Sequence, residues 1–314
     1  MDSITQTVKP SFGRHEKFVF RYGWLKKGTD AATTDPLIFS DDQALVTLGV
    51  GKNMVRSIRH WCLATGMLDE ADGPGRARQL RRTDLGRRLL TDDGWDPYLE
   101  DAGTLWLIHW LLVTNQARAL VWKLAYSGFY ESEFTKPQLT SFIIRQLDRL
   151  GHTTTDAMIA REVDTFLRTY TTAITRTKAG AIAEESLDCP LAELDIIRAA
   201  PEDGVYRFDI GPKVTLPAAI VGYALLDFLQ RLDLPHRTIA IDDTIYREGS
   251  PGQVFKLDEN SMVDYLEELE TLTRGALRLQ ESAGLQQLYL HTPPQELPSV
   301  AIDLLHHYYD RHHD

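Results

Sequence analysis

LVTLGVGKNMVRSIRHWCLATGML, residues 45–68, decides how the rest of the chain is read: a helix, a turn broken by Gly49 and Gly51, and a second helix ending at Gly66. Glycine tolerates the left-handed conformation needed just past a helix C-terminus, so each glycine marks a stop. With Asn53 set to zero at about 100° per residue, Met54, Val55, Ile58, Trp61 and Cys62 fall between about 80° and 200°. Lys52, Asn53, Arg56, Ser57, Arg59 and His60 fill the opposite arc, so the pattern predicts one packed face and one polar face turned outward.

Working outward, Ser40 and Gln43 have the spacing of a capping box that would start the first of these helices. After Leu68, Gly73-Pro74-Gly75 reads as a turn and 76–80 as a strand, with Arg76, Arg78, Arg81 and Arg82 on and beside it; Thr83-Asp84 opens a closing helix through Leu90. Helix, turn, helix, basic hairpin and helix is the order of a winged helix-turn-helix, a common reader of duplex DNA.

Charge supports that reading. Residues 45–90 hold nine Lys/Arg against four Asp/Glu, a local balance of +5 in a chain of −11, whereas residues 184–314 stand at −14. Phosphate contacts need clustered cations, so DNA is expected at one end and protein at the other. Lys52, Asn53, Arg56, Ser57, Arg59, His60, Arg76, Arg78, Arg81 and Arg82 are the expected DNA-binding residues. Asn53 and Arg56 would lie nearest the base edges. A scaffold that never touches DNA is the rival reading, because this architecture also binds proteins.

The 314 residues exceed a usual single core, and three regions are expected: an arm and winged helix-turn-helix over 1–96, a helical middle over 97–180, and an acidic winged-helix-like unit over 181–314. The fold class is thus mainly α. In the middle, 97–127 reads as one connecting helix whose Trp106, Trp110 and Trp122 are core, followed by a helix capped at Thr135 and another capped by 153–155. Further on, 205–210 reads as a strand, 217–232, 238–246 and 258–271 as helices, and 276–290 as a hairpin. The third of these helices carries Glu259, Asp264, Glu267, Glu268 and Glu270, which would repel phosphate and favour a protein partner.

Several chemistries are excluded. Cys62 and Cys189 form no Cys-x-x-Cys pair, so neither a zinc knuckle nor a disulfide framework is supported. Gly49-Val50-Gly51-Lys52-Asn53 lacks the first glycine and the hydroxyl residue of a phosphate-binding loop. No carboxylate or lysine set has nuclease character, and Cys189 has no assignable base, so a non-enzymatic protein without cofactor or metal is expected. His306, His307, His312 and His313 are expected to form a solvated helix end. The most apolar run, 105–113, is nine residues and contains His109. That is well short of the roughly 20 a membrane span requires, so a buried helix is expected there, while two lone cysteines and no secretory leader make a reducing cytoplasm the expected setting.

The chain also resembles a bacterial family known as domain of unknown function 4007. The resemblance rests on Gly13, His15-Glu16, Phe18, Arg21 and Trp24-Leu25-Lys26-Lys27-Gly28, on the run from Leu48 to Val55, on Ser186-Leu187-Asp188-Cys189-Pro190-Leu191, and on the segments beginning at Gly222 and Ser250. It implies an accessory of phage-defence or DNA-modification systems of the phosphorothioation type. The implied partner is a phosphoadenosine-phosphosulfate-reductase-like sulfur-transfer protein. No catalytic residues come with it.

Overall fold

In a computed structural model the protein is described over residues 10–71, 78–171, 189–202, 204–232, 237–282 and 285–311. It is mainly helical, with three small antiparallel sheets among the described residues.

The first third follows the expected order: α1 (Trp24–Thr34), α2 (Gln43–Leu48), α3 (Lys52–Ala64), a hairpin of β1 (Leu68–Ala71) and β2 (Gln79–Arg82), and α4 (Asp84–Leu90). Gly49 ends α2 with φ of 62°, as predicted. The expected capping box does not form: Ser40 lies in a 3-10 turn, and the Asp41 carboxylate takes the Gln43 amide instead at 2.9 Å. Gly28 sets the crossing of α1 and α3, since a Cβ there would sit 2.5 Å from Cys62 Sγ and 2.8 Å from Ile58. Thr83 caps α4 by accepting the Gly86 amide at 3.0 Å.

The expected single helix over 97–127 is two, α5 (Ala102–Thr114) and α6 (Leu120–Ser127). Asn115 explains the break. Its Nδ2 donates to the carbonyls of Leu63 and Ala64 at 3.0 and 2.9 Å, so it satisfies the open end of α3 rather than continuing its own helix. Asp101 caps α5, and Trp106, Trp110 and Trp122 are fully buried, as the aromatic stripe predicted.

The middle of the chain is less purely helical than expected. Strand β3 (Glu133–Thr135) leads into α7 (Lys136–Arg149) through the Thr135–Gln138 capping box. After α8 (Asp156–Tyr170), β4 (Ile197–Ala199) and β5 (Val205–Phe208) complete a sheet in the order β3-β5-β4. This sheet pairs Glu133–Thr135, from the region expected over 97–180, with two strands from the region expected over 181–314. The last third repeats the plan: α9 (Ala218–Arg231), β6 (Thr238–Ala240), α10 (Ile241–Tyr246), α11 (Pro251–Phe255), α12 (Glu259–Leu272), and β7 (Leu277–Ser282) with β8 (Leu285–Leu290), in the order β6-β8-β7. Residues 238–246, expected as one helix, are thus strand then helix.

In both later sheets the strand before the helices pairs with the last strand of the hairpin. The first unit keeps a vestige of this pairing, one hydrogen bond from the Leu80 amide to the Pro36 carbonyl at 2.9 Å. Finally α13 (Leu297–Asp310) packs on α9 and reaches back to the first half: Tyr309 stacks on Trp95 at 4.8 Å and Tyr308 donates to Asp101 at 2.7 Å. His306, expected in solvent, instead lies edge-on to Trp95 at 4.9 Å. His312 and His313 lie outside the described residues.

Candidate nucleic-acid interface

Helix α3 begins after Gly51 with no side-chain cap, leaving Lys52 and Asn53 exposed at its first turn. One turn on, Arg56 is exposed and pairs with Glu16 at 3.2 Å; Lys52 lies 3.8 Å from Asp42. The hairpin adds Arg78, paired with Glu70, and Arg81, which grips Asp69 through Nε at 2.7 Å and Nη2 at 3.0 Å. These side chains are 55–70% exposed, so their pairs are surface pairs that a phosphate can displace cheaply.

Arg59 is half-buried and shares Glu70 with two other cations, Arg59 at 2.9 Å, Arg118 at 3.0 Å, and Arg78. Burial acts to raise the Glu70 carboxyl, but Arg78, Arg118 and Arg59 overcome it and hold it below its ordinary value. Burial lowers the Arg59 guanidinium, against the pull of Glu70, and Arg118 and Arg14 push the same way. A cavity of about 540 Å³ opens here, lined by Arg14, Arg59, Arg78, Arg118 and Glu70 among others. It adjoins a second of about 310 Å³ that shares Arg14, Arg59 and Arg118 and adds Glu16, Arg56 and His60. A third, lined by Glu16, Lys17, Asn53 and Arg161, continues the track to α8.

Three of the expected contacts are placed differently. Ser57 is fully buried and His60 is 4% exposed, so neither faces outward. The wheel gave the polar arc correctly, but the arm covers part of it: the His15 ring lies 5.8 Å from His60 and 6.2 Å from Trp122. Arg82 turns inward against Asp30, with 12% of its side chain exposed, because the last residue of β2 faces α1. Arg76 lies outside the described residues.

The arm is held in an unusual shape. Glu16 and Lys17 both adopt left-handed backbone, with φ of 50° and 67°. His15 Nδ1 accepts the Lys17 amide at 3.1 Å, which puts its proton on Nε2, 3.1 Å from Glu162 but out of line for a hydrogen bond. Glu162 in turn accepts the Gly13 amide. At the other side of the track, Ser11 clasps the Ala117 carbonyl through its amide and hydroxyl, at 3.0 and 3.2 Å. That clasp brings Arg14 and Arg118 to one cavity. Sequence reasoning missed Arg118, which arrives from a turn that Asn115 creates, and for Arg14 it favoured packing and salt bridges over ligand binding, because no local pattern gives the path of the arm.

Cys189 donates to the Thr169 carbonyl at 3.0 Å, and burial pushes its thiol up to about 12, far from a nucleophile's range. On α12, Glu259, Asp264, Glu267 and Glu268 are exposed and Glu270 is half-buried, so the acidic face expected there is real.

Fold and site together define a mainly helical protein with a repeated helix-and-hairpin plan and an arginine-lined cleft beside its first hairpin. The family model described as "Protein of unknown function (DUF4007)" matches residues 12–309, and the chain belongs to that family. Two solved structures are similar to it, each at 32% identity and a TM-score of 0.87: a magnesium ion-bound SspB, covering 96% of this chain and 88% of that one, and an SspB covering 98% and 91%. No curated protein matches the chain. No described helix is long and apolar enough to cross a membrane.

Proposed function

We propose that this protein binds double-stranded DNA through its first unit, as a winged helix-turn-helix, within a bacterial phage-defence or phosphorothioation-type DNA-modification system. The resemblance of the family to such systems motivates the setting, and the similarity to SspB is consistent with it. One observation carries the DNA reading: Lys52, Asn53, Arg56, Arg78 and Arg81 are exposed on the start of α3 and the adjoining hairpin, the two elements that such a fold lays along a groove and its phosphates. The acidic face of α12, set in a unit of the same plan, would repel DNA and receive a protein partner, in this reading a sulfur-transfer protein.

Magnesium accompanies one of the similar structures. Among the described residues of this chain no group of three or more His, Cys, Asp or Glu gathers, and Glu16 and Glu70 in the cleft are engaged by arginines. These residues do not make a fitted magnesium site.

Fluorescence anisotropy with a labelled duplex across salt tests the proposal. Each phosphate contact contributes about 0.9 to the slope of log affinity against log salt, so Arg78→Ala with Arg81→Ala should flatten it by about 1.8. An unchanged slope removes the hairpin from the model. The rival, a scaffold without DNA contact, draws on the fact that the track's cations pair with Asp42, Glu16, Asp69 and Glu70 of the same unit. Salt-insensitive, DNA-free co-purification with a partner would favour it.

A further inference from the structure

We infer that the cavity bounded by Arg14, Arg56, Arg59, His60 and Arg118 is an oxyanion pocket that takes one phosphoryl group. The charge in and beside it is out of balance. Arg59, Arg78 and Arg118 share the single carboxylate of Glu70, Arg56 has Glu16, and Arg14 makes no ion pair or hydrogen bond among the described residues. Five guanidiniums therefore meet two carboxylates. Like charges held together in a partly desolvated site repel strongly, and an anion placed among them relieves that repulsion.

A second, independent feature points to the same ligand. His60 lines the cavity, and its Nε2 is buried without a hydrogen-bond partner among the described residues. An unpaired buried polar atom costs free energy unless something meets it. Burial first, then His15, Arg118, Arg14 and Arg59, hold the His60 imidazole well below its usual range. It is therefore neutral, and a small shift of the ring toward the cavity would let it give a phosphoryl oxygen one hydrogen bond without adding charge. The cavity, about 310 Å³, is some tenfold the roughly 30 Å³ that one water occupies in the liquid, so it has room for a phosphoryl group. Guanidinium groups carried on three separate segments, the arm, α3 and the turn before α6, suit a tetrahedral oxyanion better than a planar carboxylate, which two would saturate.

This inference does not rest on the DNA reading, because the phosphoryl group can belong to a nucleic-acid end or backbone or to a free nucleotide. Calorimetric titration of the full chain with thymidine 5′-monophosphate, inorganic phosphate and unphosphorylated thymidine tests it. Saturable binding is expected for the two phosphates and none for thymidine. Arg14→Gln, which breaks no pair, and Arg118→Gln should each weaken monophosphate binding by at least about tenfold, while Arg87→Gln, outside the pocket, leaves it unchanged. Thermal unfolding of each variant checks that the fold is kept, and Arg118→Lys should recover binding in part. Two results overturn the inference: no binding of either phosphate, or wild-type binding by folded Arg14→Gln and Arg118→Gln. Competition with a labelled duplex separates the sources: displacement by the monophosphate assigns the pocket to DNA, and absence of displacement assigns it to a small phosphate ester. A failure of DNA binding itself would show only in the salt series with Arg78 and Arg81.

Discussion

Helices α3 and α12 hold the same place in two units built on one plan, each lying just before a two-stranded hairpin, yet their outward faces are opposite in sign. Lys52 and Arg56 lie exposed on the first; Glu259, Asp264, Glu267 and Glu268 lie exposed on the second. The buried sides are alike, Val55, Ile58, Trp61 and Cys62 against Met262, Leu266 and Leu269. The plan is thus fixed by what faces inward, and what a unit can meet is fixed by a few residues facing outward.

That contrast can be broken most severely by reversing one side of it. Arg56→Glu, Arg78→Glu and Arg81→Glu together should lower duplex affinity at low salt on the order of a thousandfold. Survival of tight binding in a gel-shift would mean that DNA binds elsewhere on the protein.

The next effect concerns the interior that joins the units rather than their faces. His109 of α5 is fully buried, within 2.8 Å of the Tyr170 hydroxyl on α8 and 2.9 Å of the Val254 carbonyl on α11. Burial lowers it to about 4, against the Val254 hydrogen bond and with the help of Lys256. A histidine depressed in the folded state binds its proton only after unfolding. Its contribution is therefore full above its unfolded value near 6.5 and is lost as pH falls toward about 4, on the order of 3 kcal/mol in all. His109→Gln should flatten the fall in unfolding midpoint over that window, and His60, shifted the same way, leaves a residual slope. A variant with the wild-type pH dependence would show that His109 does not carry this term.

Glu70→Gln is expected to do less. Removing the carboxylate that three arginines share should cost about 2 kcal/mol in chemical denaturation, since Glu70 is partly exposed and solvent screens the loss. Added phosphate or duplex should restore part of it; equal loss with and without anion would separate the cluster from binding. Smallest of all, Glu267→Gln with Glu268→Gln on α12 should change duplex affinity by less than about twofold. A larger gain would mean that the acidic unit approaches the DNA.

The sequence made the inward side of this contrast plain and only half of the outward one. Gly49 and Gly66, the Thr83 and Thr135 caps and the hairpin expected over 276–290 were legible because each is decided within a few residues. Strands β3, β4 and β6 were not, since three residues are too few for alternation to show and pairing comes from elsewhere in the chain. On α3 and the first hairpin, the outward placement of Lys52, Asn53, Arg56, Arg78 and Arg81 was legible from spacing. The burial of Ser57 and His60, the inward turn of Arg82, and the arrival of Arg14 and Arg118 depend on contacts between distant segments. Helical periodicity separates polar from apolar, but says nothing of what folds over the polar side.

The return of α13 to the Trp95 region has a consequence for biosynthesis. Asp101 and Tyr308 are 207 positions apart, so at about 5–20 residues per second a ribosome needs on the order of ten to forty seconds between making one and making the other. Throughout that interval the Trp95 ring lacks the Tyr309 ring that stacks on it, leaving an apolar surface for a chaperone to hold while translation proceeds.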